Sequence, residues 1–93
     1  MDIQGFNNYL IYPDGRVYNK KYERFVKTRK LKEDYEIVSL FNIKKCFMSV
    51  SRLVAKHFIP NPDNLPLLRH KDGNTLNNHM NNLEWVDYHV ITF

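Results

Sequence analysis

The stretch "LLRHKDGNTLNNHMNNLEWV", residues 67–86, decides the fold prediction, because it combines an Asp-Gly turn with an unusual density of asparagine. His70 precedes the turn at Asp72-Gly73 by two residues and so lies at the end of a predicted strand. A histidine there can be neutral near pH 7 and accept a proton from water. The asparagine amides can tie a loop together or fix an imidazole tautomer. The residues alone leave open a catalytic site or a polar turn with a surface histidine.

The length and composition of the chain indicate one small globular domain. The chain has 93 residues, of which 43% are hydrophobic and 26% charged. Cys46 is the only cysteine, which excludes an intramolecular disulfide and points weakly to a reducing compartment. No apolar run approaches the roughly 18 residues that a membrane helix needs, and the N-terminus lacks the pattern of a signal peptide. We therefore expect a soluble protein in the cytoplasm.

The charge of the chain is unevenly distributed. The net charge is +4, and residues 16–32 hold eight Lys or Arg and one Glu, whereas residues 60–93 hold two basic and four acidic side chains. Such a basic stretch can neutralise phosphates, or it can be a solvated hairpin whose lysines protect an exposed edge. The residues predicted to bind nucleic acid or a partner are Arg16, Lys20, Lys21, Arg24, Lys27, Arg29, Lys30 and Lys32.

The patterning of the rest of the chain predicts an α+β fold. Asp14-Gly15 predicts a two-residue turn in a hairpin over residues 9–20, and residues 35–42 and "CFMSV" predict two further strands. The segment "SVSRLVAKHFI" predicts a helix capped by Ser49 or Ser51. Next, "LPLLRH" predicts a strand, and "LEWVDY" a strand or the start of a helix. We expect one domain, with a basic β-hairpin module at 1–48 and a second lobe at 49–93.

The order of these motifs closely resembles the HNH homing endonucleases of phages and mobile introns. Those proteins typically have "HRLVAxAFIPNP" followed by "NHxDGNxxNNxxxNLEWVT", and this chain has "SRLVAKHFIPNP" followed by "RHKDGNTLNNHMNNLEWV". The upstream "YLIYPDGRVYNKKYERFVK" resembles the small module, of the NUMOD kind, that often precedes that nuclease core. The resemblance covers nearly the whole chain.

The resemblance implies a fold and a set of residue roles. It implies an antiparallel hairpin sheet with one helix, followed by a C-terminal lobe of the ββα-metal type, in which one Mg²⁺ or Mn²⁺ polarises the scissile phosphate. His70 matches the general base, and Asn82 matches the central asparagine that orients the histidine and pins the two strands. The remaining matches are turn positions at Asp72, Gly73, Asn77 and Asn78, and core positions at Leu83 and Trp85.

The metal-ligand positions of the family are not matched. Arg69 stands where the family has a carboxylate or amide, and Ile91 stands where the closing helix supplies the second ligand. Neither residue can coordinate a cation. His89 lies two residues too early to replace the second ligand, and the tail "VITF" disfavours a full final helix. We therefore predict no metal ligands and no cofactor, although Arg69 itself could stabilise transition-state charge.

Two functions remain open from the sequence. The leading expectation is a phage or mobile-element protein that has lost nuclease activity. It would act by binding DNA, or by binding and inhibiting a host protein that handles nucleic acid. The alternative is an active HNH nickase that requires Mg²⁺ or Mn²⁺. We expect no membrane partner and no small-molecule cofactor.

Overall fold

The computed structural model describes residues 1–31 and 35–88 and shows an α+β fold. The order of its elements follows the predicted order of hairpins, helix and second hairpin. The elements are β1 (Asp2–Ile3), β2 (Phe6–Ile11), β3 (Val17–Asn19), β4 (Arg24–Phe25), β5 (Arg29–Leu31), β6 (Tyr35–Phe41), β7 (Lys45–Ser49), α1 (Val50–Phe58), β8 (Leu67–His70), a 3-10 turn (Met80–Asn82) and β9 (Leu83–Val86).

The strands form three antiparallel sheets, with the orders β1-β2-β3-β4, β5-β6-β7 and β8-β9. The predicted hairpin at Asp14-Gly15 is present, but its loop has three residues and not two. The amide of Tyr12 donates to Arg16 O at 2.9 Å, which leaves Pro13, Asp14 and Gly15 as the loop, and Gly15 has φ +96°. A glycine at positive φ in the third loop position is typical of three-residue hairpins.

The helix α1 begins where the sequence predicts. Its N-cap is Ser49, one of the two candidates, and the Ser49 side chain accepts a hydrogen bond from the amide of Arg52. The other candidate, Ser51, is buried and lies with its Oγ 3.0 Å from Ser49 Oγ. The apolar face of α1 packs on the sheets through Val50, Leu53 and Val54.

The core combines residues from both halves of the chain. Its buried cluster contains Ile3, Tyr9, Ile11, Val17, Val38, Leu40, Val50, Leu53, Val54 and Leu83. The predicted core position Leu83 is therefore confirmed. Trp85 is only half-buried, and its indole N–H donates to Ile59 O at 3.1 Å. The division of the chain at residue 48 stays a prediction.

None of the helices in the described part of the chain has the length and apolar character that a membrane-spanning helix requires.

Candidate functional site

The hairpin β8–β9 carries the candidate catalytic residues. Its register pairs His70 with Leu83 and Arg69 with Glu84. Residues directly opposite in an antiparallel pair lie close enough for their side chains to interact. The Arg69 guanidinium accordingly forms an ion pair with the Glu84 carboxylate, with the two side chains 46% and 33% exposed. Arg69 therefore already has a carboxylate partner within the protein.

His70 is held by a hydrogen-bonded network that reaches the second sheet. Its Nε2 lies 2.8 Å from Oδ1 of Asn78, a side chain that is only 4% exposed. The Nδ2 of Asn78 donates to Glu36 Oε1 at 2.8 Å, and the hydroxyl of Thr28 donates to Glu36 Oε2 at 2.6 Å. The network thus connects Asn78 with Glu36 of β6, two residues that are 42 positions apart in the chain.

This network determines the tautomer of His70. A carboxylate can only accept, so Asn78 must direct its NH₂ group toward Glu36 and its carbonyl oxygen toward His70. His70 Nε2 must then carry the proton and donate. In the neutral imidazole this leaves Nδ1 with the free lone pair. Nδ1 is therefore the atom of His70 that could accept a proton.

The resemblance implies that Asn82 orients the histidine and pins the two strands. Its Oδ1 accepts from the amide of Asp72 at 3.1 Å, and its Nδ2 donates to Asp72 Oδ1 at 2.9 Å and to Asn77 O at 2.9 Å. These bonds join the two ends of the loop between β8 and β9, as a pinning role requires, and the orienting role stays a prediction. Asn82 lies at the base of this loop, where its own carbonyl accepts from the amide of Lys71 at 2.7 Å. The residue that contacts His70 is Asn78, for which the resemblance implied only a turn position.

Asp72 organises the loop between the two strands. Its carboxylate accepts hydrogen bonds from the side chain of Asn77, the amide of Asn74 and the side chain of Asn82. These bonds, with the one from Asn77 the largest cause, lower the pKa of Asp72 below its ordinary value of 3.8. Both oxygens of the carboxylate are thus used to hold the loop in shape.

A second candidate site is a groove between the first two sheets. It has a volume of about 720 Å³ and receives residues from β2, β3, β4, β6 and β7. The phenol oxygen of Tyr9 accepts from the amide of Phe41 at 3.1 Å and joins the two sheets in this region. On the other side, Oδ1 of Asn19 accepts from the amides of Lys21 and Tyr22 at 2.9 and 3.1 Å. This local turn fixes the rim of the groove.

The groove is rich in cations and rings. Its basic lining residues are Lys21, Arg24, Lys27 and Lys45, its aromatic ones are Tyr9, Tyr22, Phe25 and Phe41, and none of the described lining residues is acidic. Tyr22, Phe25 and Phe41 are 62%, 48% and 55% exposed. Exposed rings flanked by cations are typical of surfaces that bind nucleic acid.

The structure separates the eight predicted basic residues into groups. Lys21, Arg24 and Lys27 line the groove. Arg16 and Lys20 lie in ion pairs with Asp14 and Asp2, at 2.8 and 3.0 Å.

The other three basic residues belong to or follow β5. The Cζ atom of Arg29 lies 5.8 Å from the ring centroid of Phe47. Lys30 is exposed and is paired with Glu36 in the register of β5 with β6. Lys32 lies outside the described residues, as do His89 and Ile91.

No protein-family model matches this chain. An uncharacterised HNH endonuclease of Acanthamoeba polyphaga mimivirus is 40% identical over 87 residues, which cover 91% of this chain and 26% of that protein. The DNA endonuclease I-HmuI of Bacillus phage SP01 is 37% identical over 87 residues, which cover 91% of this chain and 50% of that protein. The solved structure of "DNA binding and cleavage by the HNH homing endonuclease I-HmuI" matches with a TM-score of 0.88 and 35% identity. The chain is a homologue of HNH endonucleases.

The HNH homing endonuclease fold expected from the sequence is thereby confirmed, since the structural match covers 98% of this chain. The same match covers 53% of the I-HmuI chain. This HNH homologue thus spans about a quarter of the mimivirus relative and about half of the phage relative.

The HNH family implies a divalent cation beside His70, but the donors of this hairpin do not fit one. Arg69 has no lone pair to offer. The two carboxylates within residues 67–86 are engaged, Glu84 with Arg69 and Asp72 with the loop. Hard cations such as Mg²⁺ require several oxygen ligands. No group of three or more His, Cys, Asp or Glu residues in the described ranges, 1–31 and 35–88, has a geometry suited to a metal.

Sequence reasoning missed several residues of these sites, among them Glu36, Phe41 and Lys45. Glu36 supports His70 through Asn78, and Phe41 and Lys45 complete the groove from the second sheet. No local signal identifies Glu36, since its role depends on a contact between distant segments. The exposed position of Phe41 at the end of β6, followed by the lysines of the β6–β7 turn, offered a weak signal.

Proposed function

We propose that this HNH homologue binds DNA through the face centred on the groove, and that it acts by binding and not by metal-dependent cleavage. The observation that carries the proposal is the lining of the groove, with four cations and four aromatic rings and no acidic side chain among its described residues. Phosphates bind such a surface because each Lys or Arg that contacts one releases a counterion. The known DNA binding of I-HmuI, 35% identical, supports the same partner.

The second part of the proposal rests on Arg69. Its positive charge occupies the position that the resemblance assigns to a metal ligand, and its guanidinium is paired with Glu84. The carboxylate of Asp72 is held by the turn. Metal-dependent cleavage through Glu84 or Asp72 would need these carboxylates to be released from their present contacts.

Fluorescence anisotropy with a labelled DNA duplex tests the binding. We expect affinity to fall steeply with salt. The variant Lys21→Glu/Lys27→Glu should weaken binding and reduce the slope of log K against log salt by about two, since each lost phosphate contact removes about one. The matched control is Arg52→Glu/Lys56→Glu, which changes the same charge at two exposed positions of α1 outside the groove.

Two results would contradict the proposed binding of DNA at the groove. Equal losses in the two double variants would mean that only the net charge matters. A failure to bind duplex or single-stranded DNA at low salt would leave the second target class, a host nucleic-acid-handling protein. That class can be tested by capture of proteins from a nuclease-treated host lysate. Each captured protein would then be purified, and its binding to the wild type and to the groove variant would be measured.

A metal-dependent DNA endonuclease is the second candidate function, and the network around His70 favours it. The bonds from Asn78 and Glu36 leave Nδ1 of His70 able to accept a proton, as a general base requires. Supercoiled plasmid incubated with Mg²⁺ or Mn²⁺ distinguishes the candidates. Nicking by the wild type that is lost in His70→Ala would establish the endonuclease, whereas intact plasmid with retained DNA binding supports the proposal.

A further inference from the structure

The groove between the first two sheets has a feature that duplex binding does not require, namely its exposed rings. Tyr22, Phe25 and Phe41 leave about half or more of their surface to water, at 62%, 48% and 55% exposure. Cations alone are enough to neutralise a phosphate backbone. Exposed aromatic rings cost hydration free energy in the free protein, so their concentration in one groove indicates a ligand with flat apolar faces.

The cations of the groove accompany these rings. Lys21 Nζ and Arg24 Cζ lie 5.6 and 5.7 Å from the ring centroid of Tyr22. Lys45 Nζ lies 5.5 Å from the ring centroid of Phe41. Tyr22 and Phe41 thus each have a cation over the ring, and a ligand in the groove would meet a ring and a cation in close succession. A nucleotide presents a flat base and a phosphate in the same way.

A regular DNA duplex offers these rings no base face for stacking, because its bases are stacked on one another inside the helix. A protein ring can stack only on a base that is unpaired or turned out of the stack. The volume of the groove, about 720 Å³, lies within the range of about 300–1,000 Å³ that holds small-molecule ligands. It therefore has room for a nucleotide-sized group and is not merely a flat surface.

We propose that the groove binds unpaired nucleotides of single-stranded DNA, an inference that rests on the proposed DNA binding. The bases would stack on Tyr22, Phe25 and Phe41, and the phosphates would contact Lys21, Arg24, Lys27 and Lys45. The two sheets contribute together, since Phe41 and Lys45 come from the β6–β7 hairpin and the others from the first sheet and the segment that follows it.

Anisotropy titrations at one salt concentration test this inference. The ligands are a labelled oligothymidylate, the same strand with abasic sites in place of its bases, and a duplex with the same number of phosphates. We expect the oligothymidylate to bind more tightly than the other two. Phe41→Leu should weaken binding of the oligothymidylate by about 5- to 100-fold, the effect of losing one stacked base, and should therefore lower the ratio of single-strand affinity to duplex affinity.

Matched variants separate stacking from folding. Phe41→Tyr keeps a ring and should retain the affinity for the single strand. Tyr35→Leu removes a ring that is 41% exposed and outside the groove, and it should have no effect. Equal affinity for the abasic and normal strands, or no effect of Phe41→Leu, would overturn the inference while leaving duplex binding, and hence the proposed function, in place. Failure to bind either form of DNA would refute both.

Discussion

The most informative perturbation is Asn78→Ala, because Asn78 joins the candidate base to the second sheet. Its side chain is 4% exposed and makes two hydrogen bonds of 2.8 Å, one with His70 and one with the carboxylate of Glu36. A bond to a charged group contributes about 1.5–3 kcal/mol and a neutral one about 0.5–1.5 kcal/mol. Glu36 keeps its bond from Thr28, and His70 and Glu36 are only half-buried, so water can replace part of the loss.

We therefore expect Asn78→Ala to lower the free energy of unfolding by about 2–3 kcal/mol. For a domain of this size the midpoint of thermal unfolding should fall by roughly 10–20 °C. The control is Asn81→Ala, the same substitution at an exposed position of the same loop, which should cost less than about 0.5 kcal/mol. Urea unfolding at neutral pH measures both variants.

The same variant tests the tautomer of His70. In the wild type, two-bond ¹H–¹⁵N spectra of the imidazole should show the proton on Nε2 when the ring is neutral. In Asn78→Ala the proton should distribute over both nitrogens, because the acceptor at Oδ1 has been removed. The reasoning would be refuted if Asn78→Ala were no more costly than Asn81→Ala, or if the tautomer were unchanged.

Three further predictions concern the turns and the helix cap. Because the folded pKa of Asp72 is lowered from 3.8, its contribution to stability is present above that value and is lost as the pH falls through the folded pKa. Asp72→Asn should therefore reduce the acid dependence of the unfolding midpoint, measured between about pH 6 and pH 2. Gly15→Ala should cost about 2–3 kcal/mol in urea unfolding, because Gly15 has φ +96° and a Cβ there would lie 3.2 Å from Asn78 Cβ and 3.3 Å from Val50 Cγ1. Ser49→Ala should cost about 0.5–1 kcal/mol by the same assay, since the capping bond to the amide of Arg52 is long, at 3.4 Å.

Local sequence rules predicted the elements of this fold well. The strand β6, the helix α1 with its serine cap and the hairpin β8–β9 all follow from alternation, helical spacing and turn residues within a few positions. The loop at Asp14-Gly15 is one residue longer than the prediction, because it also includes Pro13 and has Gly15 as its third residue. A dipeptide alone does not determine the length of a hairpin loop, and the loop length and turn type together fix the strand register.

The candidate sites were predicted only in part, because they combine distant segments. His70 and the Asp-Gly turn could be found within one motif. The contact between Asn78 and Glu36 depends on how the second hairpin packs against β6, and no local pattern encodes it. The groove likewise depends on the β6–β7 hairpin lying beside the first sheet. That packing adds Phe41 and Lys45 to the residues of the basic stretch, and the basic stretch alone supplies only one wall of the groove.

Arg69 illustrates how the hairpin can keep its form without a metal ligand at that position. The register places Arg69 directly opposite Glu84, so the guanidinium supplies a positive charge to a carboxylate of the same hairpin. Both side chains are substantially exposed, and such pairs contribute only about 0–1 kcal/mol, so stability alone is a weak reason for the arginine. The Arg69 guanidinium instead compensates the negative charge of Glu84 on the face where the HNH family has a metal cation. The loop is held independently by Asp72 and Asn82, and His70 by Asn78. The described contacts of the hairpin therefore hold it without a metal ligand at position 69.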